Sequence, residues 1–197
     1  MPVTGSNLYH AKYEKPARKA GFFDWTDMSK YILSEIFTLV PAEVYTPEIA
    51  REALAGQFPL NGDVQVQAVA LEKEGAMVVY PSGAQMEGVL PFAVRMMEEA
   101  SSVKEYNKVV FHYSAEKRLS HTIIYIGEEL KLANSFKADS FESALYFLFL
   151  SIQQLQMNPK QCIVRVCSDM STEQEQTIGK FFNGVEKNNL SQIICNI

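Results

Sequence analysis

Lys108 to Ser171 constrains the fold more than any other stretch of the chain. Lys108–Tyr113, Leu119–Ile126 and Leu130–Phe136 are rich in β-branched and aromatic residues. Ser114–Arg118 and Gly127-Glu128-Glu129 join them, so the spacing predicts three consecutive antiparallel strands. Phe141 to Leu155 follows as a helix that is apolar nearly all round, which predicts cover on more than one side. Asp139 is expected to cap it, with Glu142 returning a bond to the cap's own N–H. Asn158-Pro159 ends it. Ile163, Val164 and Val166 then predict a central parallel-type strand, interrupted only by Arg165. Ser171 or Thr172 opens another helix with Ile178, Phe181 and Phe182 inward and Gly184 at its end. Gln192–Ile197 reads as a last strand. The order is β-β-β-α-β-α-β, a meander followed by crossovers.

The first half is less regular. Residues 1–35 are poorly patterned: Phe22, Phe23 and Trp25 look like docking residues, and Asp27–Glu35 predicts a short helix with Tyr31 and Ile32 inward. Ile36–Val40 predicts a short buried strand. Thr46-Pro47-Glu48 is a helix start, with a capping hydroxyl, a proline suited to the first turn and an acid that complements the helix dipole. Ile49, Ala53 and Leu54 are its expected inward stripe, and Gly56 its stop. Gln65–Glu72 alternates as a strand, Gly75 permits a turn, and Ala76–Tyr80 pairs back. Pro81 and Ser82 read as opening a helical stretch that Pro91 breaks before Phe92–Glu99 resumes it. Ala100–Tyr106 is a polar link. The expected division is therefore 1–35, a reduced α/β subdomain over 36–104, and the β-β-β-α-β-α-β subdomain over 105–197.

Composition narrows the class of function. Of 197 residues 47% are hydrophobic and 21% charged, as in an ordinary soluble globular protein. A net charge of -5 argues against nucleic acid as a partner, and Lys12, Lys15, Arg18 and Lys19 are too sparse to overturn that. Cys162, Cys167 and Cys195 are odd in number and read as reduced thiols. Cys-x4-Cys is not a zinc spacing, and no nearby His completes one. The longest apolar run, Ala144–Leu150, is far short of the roughly 20 residues a membrane span needs. With no signal core at the N-terminus, the expected location is cytoplasmic, with no transmembrane segment.

The meander-then-crossover order resembles the ribonuclease H-like half of the actin-like ATPases. Leu130-Lys131-Leu132-Ala133-Asn134-Ser135-Phe136, then Asp139 and Glu142-Ser143-Ala144-Leu145-Tyr146-Phe147-Leu148, resembles an uncharacterised Bacteroidetes family. That family is similar to a reduced actin-like ATPase and, distantly, to the actin-like pilus assembly protein. Phe37-Thr38-Leu39-Val40-Pro41 and the helix opening at Thr46 fit its first half. The resemblance runs from about Ile36 to the C-terminus. It implies an α/β, actin-like ATPase (ribonuclease H-like) fold, a mixed sheet flanked by helices with the first half reduced.

The same resemblance implies where a nucleotide would sit. Actin-like ATPases grip phosphates with bare backbone N–H groups at glycine-bearing hairpin turns, and an acid there holds Mg²⁺ through water. The corresponding turn is Ser114-Ala115-Glu116-Lys117-Arg118, which has no glycine and no Asp. The adenosine-contacting glycine pair would fall after Val166, where the chain has Cys167-Ser168-Asp169-Met170. The expectation is a non-catalytic protein with a degenerate nucleotide site, no cofactor, no metal and an unidentified protein partner. The alternative is an active ATPase holding Mg-ATP through Ser114, Glu116, Lys117, Ser168 and Asp169. His112 and His121 lie on neighbouring strands. A five-residue loop over 114–118 would pair His112 with Ser120 and send the two rings to opposite faces. No Gly-x-Ser-x-Gly elbow, P-loop or dinucleotide fingerprint occurs. Met86, Met96 and Met97 read as core filling or a soft contact surface.

Overall fold

The computed structural model describes residues 31–60, 64–83 and 88–195. Its centre is a five-stranded sheet made by β6 (Asn107–Ser114), β7 (Leu119–Ile126), β8 (Glu129–Lys137), β9 (Ile163–Val166) and β10 (Gly184–Lys187). Their spatial order is β10-β9-β6-β7-β8, with β6-β7-β8 antiparallel and β9 and β10 parallel to β6. Helices α3 (Phe141–Gln154) and α4 (Thr172–Phe181) follow the meander and β9, giving the expected β-β-β-α-β-α-β order.

The preceding elements are β1 (Tyr31–Ile32), β2 (Thr38–Pro41), α1 (Pro47–Ala55), β3 (Gln65–Leu71), β4 (Ala76–Ser82), β5 (Leu90–Pro91) and α2 (Phe92–Ala100). β2, β4 and β3 form an antiparallel three-stranded sheet in that order, and β1 pairs in parallel with β5. Thr46 caps α1 through its hydroxyl, which accepts the Ile49 N–H at 3.2 Å.

Alternation along β6 and β7 sorts the side chains onto two faces. Val109, Phe111, Tyr113 and Ile124 pack under α3 and α4 with Leu148, Ile152, Ile178 and Phe182. Val110, Ile123 and Tyr125 face the other way, against Phe92, Met96 and Met97 of α2 and Val78 and Leu71 of the small sheet. The central sheet is therefore buried on both faces, which explains why β6 and β7 are almost uninterruptedly buried. Met96 and Met97 are core, as expected, whereas Met86 lies outside the described residues.

Several local expectations are revised. Tyr31–Ile32 is strand rather than helix, paired with Leu90 and Pro91, while residues 27–30 fall outside the described set. Ile49 is exposed, and Ala50 joins Leu54 on the buried face of α1. Pro81 and Ser82 complete β4 opposite Val66 and Gln65 instead of opening a helix. The cap of α3 is Ser140, one residue later than Asp139. Ser140 has the extended backbone (φ -143, ψ 166) that lets its hydroxyl accept the Ser143 N–H. Asp139 turns to Arg118 at 3.7 Å.

Cover of α3 is unequal as well. Phe147 stacks on Phe136 and Phe149 on Phe182, but Tyr146 is 62% exposed. Phe181 is half-exposed, its ring edge-on to Phe149, while Ile178 and Phe182 are the buried anchors of α4. The last strand among the described residues is Gly184–Lys187; the expected strand at Gln192–Ile197 is not seen over 192–195, and residues 196–197 lie outside the described set. As an edge strand Gly184–Lys187 tolerates Glu186, whose carboxylate accepts from Arg165 Nε at 3.1 Å. Ser191–Ile193 turns in a 3-10 helix instead, leaving Ile194 in a single bridge to Tyr31.

Arg165 thereby acquires a structural explanation. It leaves the buried strand β9 on the α2 side, where its guanidinium also donates to Glu99 Oε1 at 2.9 Å. Burial alone would raise the Glu99 carboxyl, but bonds from Asn188, Arg165 and Ser102 and the nearby Arg95 charge hold it below its ordinary value. Pairing is what makes these charges tolerable beside a core.

Leu148 is fully buried and Tyr146 lies on the outer face of the same helix. In urea titrations Leu148→Ala should therefore cost about 2–5 kcal/mol. Tyr146→Ala should stay within about 0.5 kcal/mol of the parent.

Candidate functional site

The carboxyl ends of β6 and β9 lie side by side, and the two turns singled out by sequence leave from them. This is where open α/β sheets place ligands. The hairpin turn is tighter than expected: Ser114 pairs with Leu119, leaving Ala115–Arg118 to reverse the chain. Arg118 adopts φ 50, the left-handed conformation that lets a short loop close.

Inside that turn two of the backbone donors are occupied. Lys117 N–H donates to the Ser114 hydroxyl at 3.2 Å, and Arg118 N–H to the Ala115 carbonyl at 3.4 Å. Just before it, Tyr113 N–H donates to the Ser168 hydroxyl at 3.2 Å. Ser168 is buried and fastens the end of β6 to the end of β9, so Ser114 and Ser168 are brought close through Tyr113. Glu116, Lys117 and Asp169 are exposed. Met170 is buried and packs into the α3–α4 core.

A cleft of about 440 Å³ borders the turn, lined by Leu33, Glu35, Lys117, Arg118, Leu119, Lys137 and Asp139. Arg118 faces Asp139, and Lys137 faces Glu35 at 3.3 Å. These pairs are solvent-exposed and contribute little.

A larger cleft of about 930 Å³ lies at the opposite end of the meander, away from both turns. Glu129–Ala133 of β8 form one wall, Leu39 and the β3–β4 turn the other. At its mouth Glu128 takes Lys108 at 2.7 Å and also Lys73, and Glu74 accepts the Tyr125 hydroxyl at 2.7 Å. Bonds from Lys108 and Lys73 hold the Glu128 carboxyl down to about 2. Gly127 is required at the β7–β8 turn by its φ of +61 and by the Tyr106 ring, 3.1 Å from where a Cβ would sit.

The histidines are where the sequence reading errs most. His112 pairs directly with His121, not with Ser120. The loop is one residue shorter than counted, and a one-residue shift moves every side chain of a strand to the other face. Both rings therefore lie on the α2 side, with centroids 5.7 Å apart. They are 2% and 0% exposed, and Phe92 packs edge-on against both. Their neighbours Ser120 and Thr122 are buried on the opposite face. The signal available in the sequence was Ser120-His121-Thr122, three successive polar residues inside an otherwise apolar strand.

Among the described residues no group of three or more His, Cys, Asp or Glu is arranged to hold a metal ion. Burial pushes the Cys167 thiol up to about 12, so it is protonated and unreactive at neutral pH. No described helix is long and apolar enough to cross a membrane.

Comparison with known proteins matches this geometry at the level of fold. A protein from Bacteroides thetaiotaomicron, described as having an actin-like ATPase fold and unknown function, superposes with a TM-score of 0.67 at 17% identity. The alignment covers 80% of this chain and 66% of that one. The chain has the actin-like ATPase fold. The chain spans a little under two thirds of that relative's length. The family described as "Protein of unknown function (DUF3822)" matches residues 88–183, from just before β5 to just beyond α4. The PilM–PilN type IV pilus biogenesis complex aligns over 84% of this chain and 71% of its own, with a TM-score of 0.43 at 12% identity. No curated protein matches the sequence.

Because Ser168 ties β6 to β9, Ser168→Ala should leave the Tyr113 N–H buried without a partner. The expected cost is about 1–3 kcal/mol in chemical denaturation. Asp169→Ala, in the exposed part of the same turn, should change stability by less than about 0.5 kcal/mol.

Proposed function

We propose that this chain is a non-catalytic protein of the actin-like ATPase fold, an interaction or assembly component whose nucleotide site has degenerated. The observation that carries the proposal is the occupancy of the hairpin turn by its own bonds. Phosphate oxygens are gripped by backbone N–H groups that point at the ligand with no Cβ in the way. Here the Lys117 and Arg118 N–H groups are spent on Ser114 and Ala115, and the turn contains no glycine. On the purine side, Ser168 is committed to the Tyr113 N–H and Met170 to the core. Exposed Tyr146 and Phe181, on the helices that cover the sheet, support a role in contacting another protein.

The competing reading is an ATPase that holds Mg-ATP through Ser114, Glu116, Lys117, Ser168 and Asp169. The cleft bordered by Lys117, Arg118 and Lys137 favours it, since it would accept an anion beside the turn.

Melting curves with and without Mg-ATP separate the two. A nucleotide at a hundred times its Kd stabilises by about 2.7 kcal/mol, a rise of roughly 5–10 °C for a chain this size. The melting temperature should stay unchanged at millimolar Mg-ATP. A saturable rise, with micromolar affinity by calorimetry, would refute the proposal. Affinity capture from native extract should recover a stoichiometric protein partner, and repeated recovery of the chain alone would count against an interaction role.

A further inference from the structure

The two buried histidines take no part in the proposed function, and what surrounds them is built as a separate device. His121 Nε2 lies 2.9 Å from the Ser34 carbonyl. A carbonyl can only accept, so Nε2 carries the proton and Nδ1 is a bare lone pair. Beside it, the Ser135 hydroxyl donates to the Glu35 carbonyl at 2.7 Å. These two bonds fasten the strap between β1 and β2 across the sheet. His112 sits 4.9 Å, centroid to centroid, from Phe92, the first residue of α2. Nδ1 of His112 and Nδ1 of His121 are both buried with no hydrogen-bond partner among the described residues.

The charges on the surrounding elements are engaged elsewhere. On α2, Glu99 faces Arg95 and Arg165, and Glu98 lies 3.8 Å from Arg95. On the strap, Glu35 faces Lys137 of β8. Lys108 of β6 faces Glu128, and Lys131 of β8 faces Glu129. Just beyond β9, whose Val166 pairs with Phe111, the protonated thiol of Cys167 lies in the α2-side core, and on β7 the next residue on that face is Ile123. Among the described residues, then, no carboxylate stands against either ring.

We propose that His112 and His121 form an acid-released latch: protonation frees the Ser34–Glu35 strap and the first turn of α2 from the sheet, while the α3–α4 side stays packed. A charged imidazole needs water or a counter-charge, and the closed arrangement offers neither. Burial holds both rings below the ordinary value of 6.5, His112 well below it with His121 adding to the effect, and His121 at about 4 despite its bond to Ser34. Neutral rings thus stabilise the closed form fully above pH 6.5, and that contribution is lost as pH falls towards 4. At pH 5, His121 alone weakens the closed form about 30-fold.

Hydrogen–deuterium exchange of the full chain at pH 7.5 and 5.0, corrected for intrinsic rates, tests this. Peptides spanning 31–37 and 89–96 should exchange at least ten-fold faster at pH 5.0, with 141–154 unchanged. The double variant His112→Phe, His121→Gln keeps a donor for Ser34 but cannot titrate, and should show no such acceleration. Equal exchange at both pH values, acceleration extending through 141–154, or the same acceleration in the double variant would overturn the latch. Should the variant fail to fold, ring titration of the parent by NMR decides. Midpoints below 6 for both imidazoles support the latch, and a midpoint at 6 or above for either overturns it.

Discussion

The register between β6 and β7 is the constraint on which the rest depends. Ser114 opposite Leu119 fixes every later pair down to Asn107 opposite Ile126. It sends Phe111 and Tyr113 towards α3, and Val110, His112, His121 and Ile123 towards α2. Sliding one strand by a residue would set a histidine and Ser120 where apolar side chains belong. Two bonds that close the turn at this register, Lys117 N–H to Ser114 and Arg118 N–H to Ala115, also occupy two of the turn's backbone donors. One small set of contacts therefore closes the hairpin and, on the proposed reading, stands where a phosphate grip would be.

A sheet buried on both faces needs two covers, and the chain supplies them by different means. On one side α3 and α4 pack with largely aliphatic and aromatic side chains. On the other, α2 and the three-stranded sheet are drawn in partly by polar contacts. Arg165 reaches Glu99 and Glu186, Lys108 and Lys73 share Glu128, and Tyr125 donates to Glu74. This second side contains the buried histidine pair and the larger cleft. Polar pairs weaken with salt far more readily than apolar packing does.

Much of this was legible in the sequence because local chemistry and burial agreed there. β7 begins at Leu119 and ends at Ile126 as its run of β-branched residues predicts, and Thr46-Pro47 starts α1. Legibility failed where tertiary partners decide. β10 is hidden by Glu186 and Lys187, and becomes a strand only because β9 offers it an edge and Arg165. Pro81 looks like a helix start until β3 is seen to pair with it. Ser140 displaces Asp139 as a cap through backbone angles that composition does not encode. For the candidate site, the absence of glycine from 114–118 was plain, whereas the histidine pairing hung on whether Ser114 belonged to the loop or the strand. Arg118 settles that with a left-handed conformation unusual for its residue type.

The proposal that nucleotide binding has been lost at the Ala115–Arg118 turn makes a sharp demand on individual atoms. Backbone amide ¹H–¹⁵N spectra of the full chain, recorded through a titration with Mg-ATP, follow the Lys117 and Arg118 N–H groups directly. Sealed donors predict resonances at 114–118 and 167–170 that do not move at millimolar nucleotide. Saturable shifts confined to those residues, with a midpoint in the micromolar range, would contradict it.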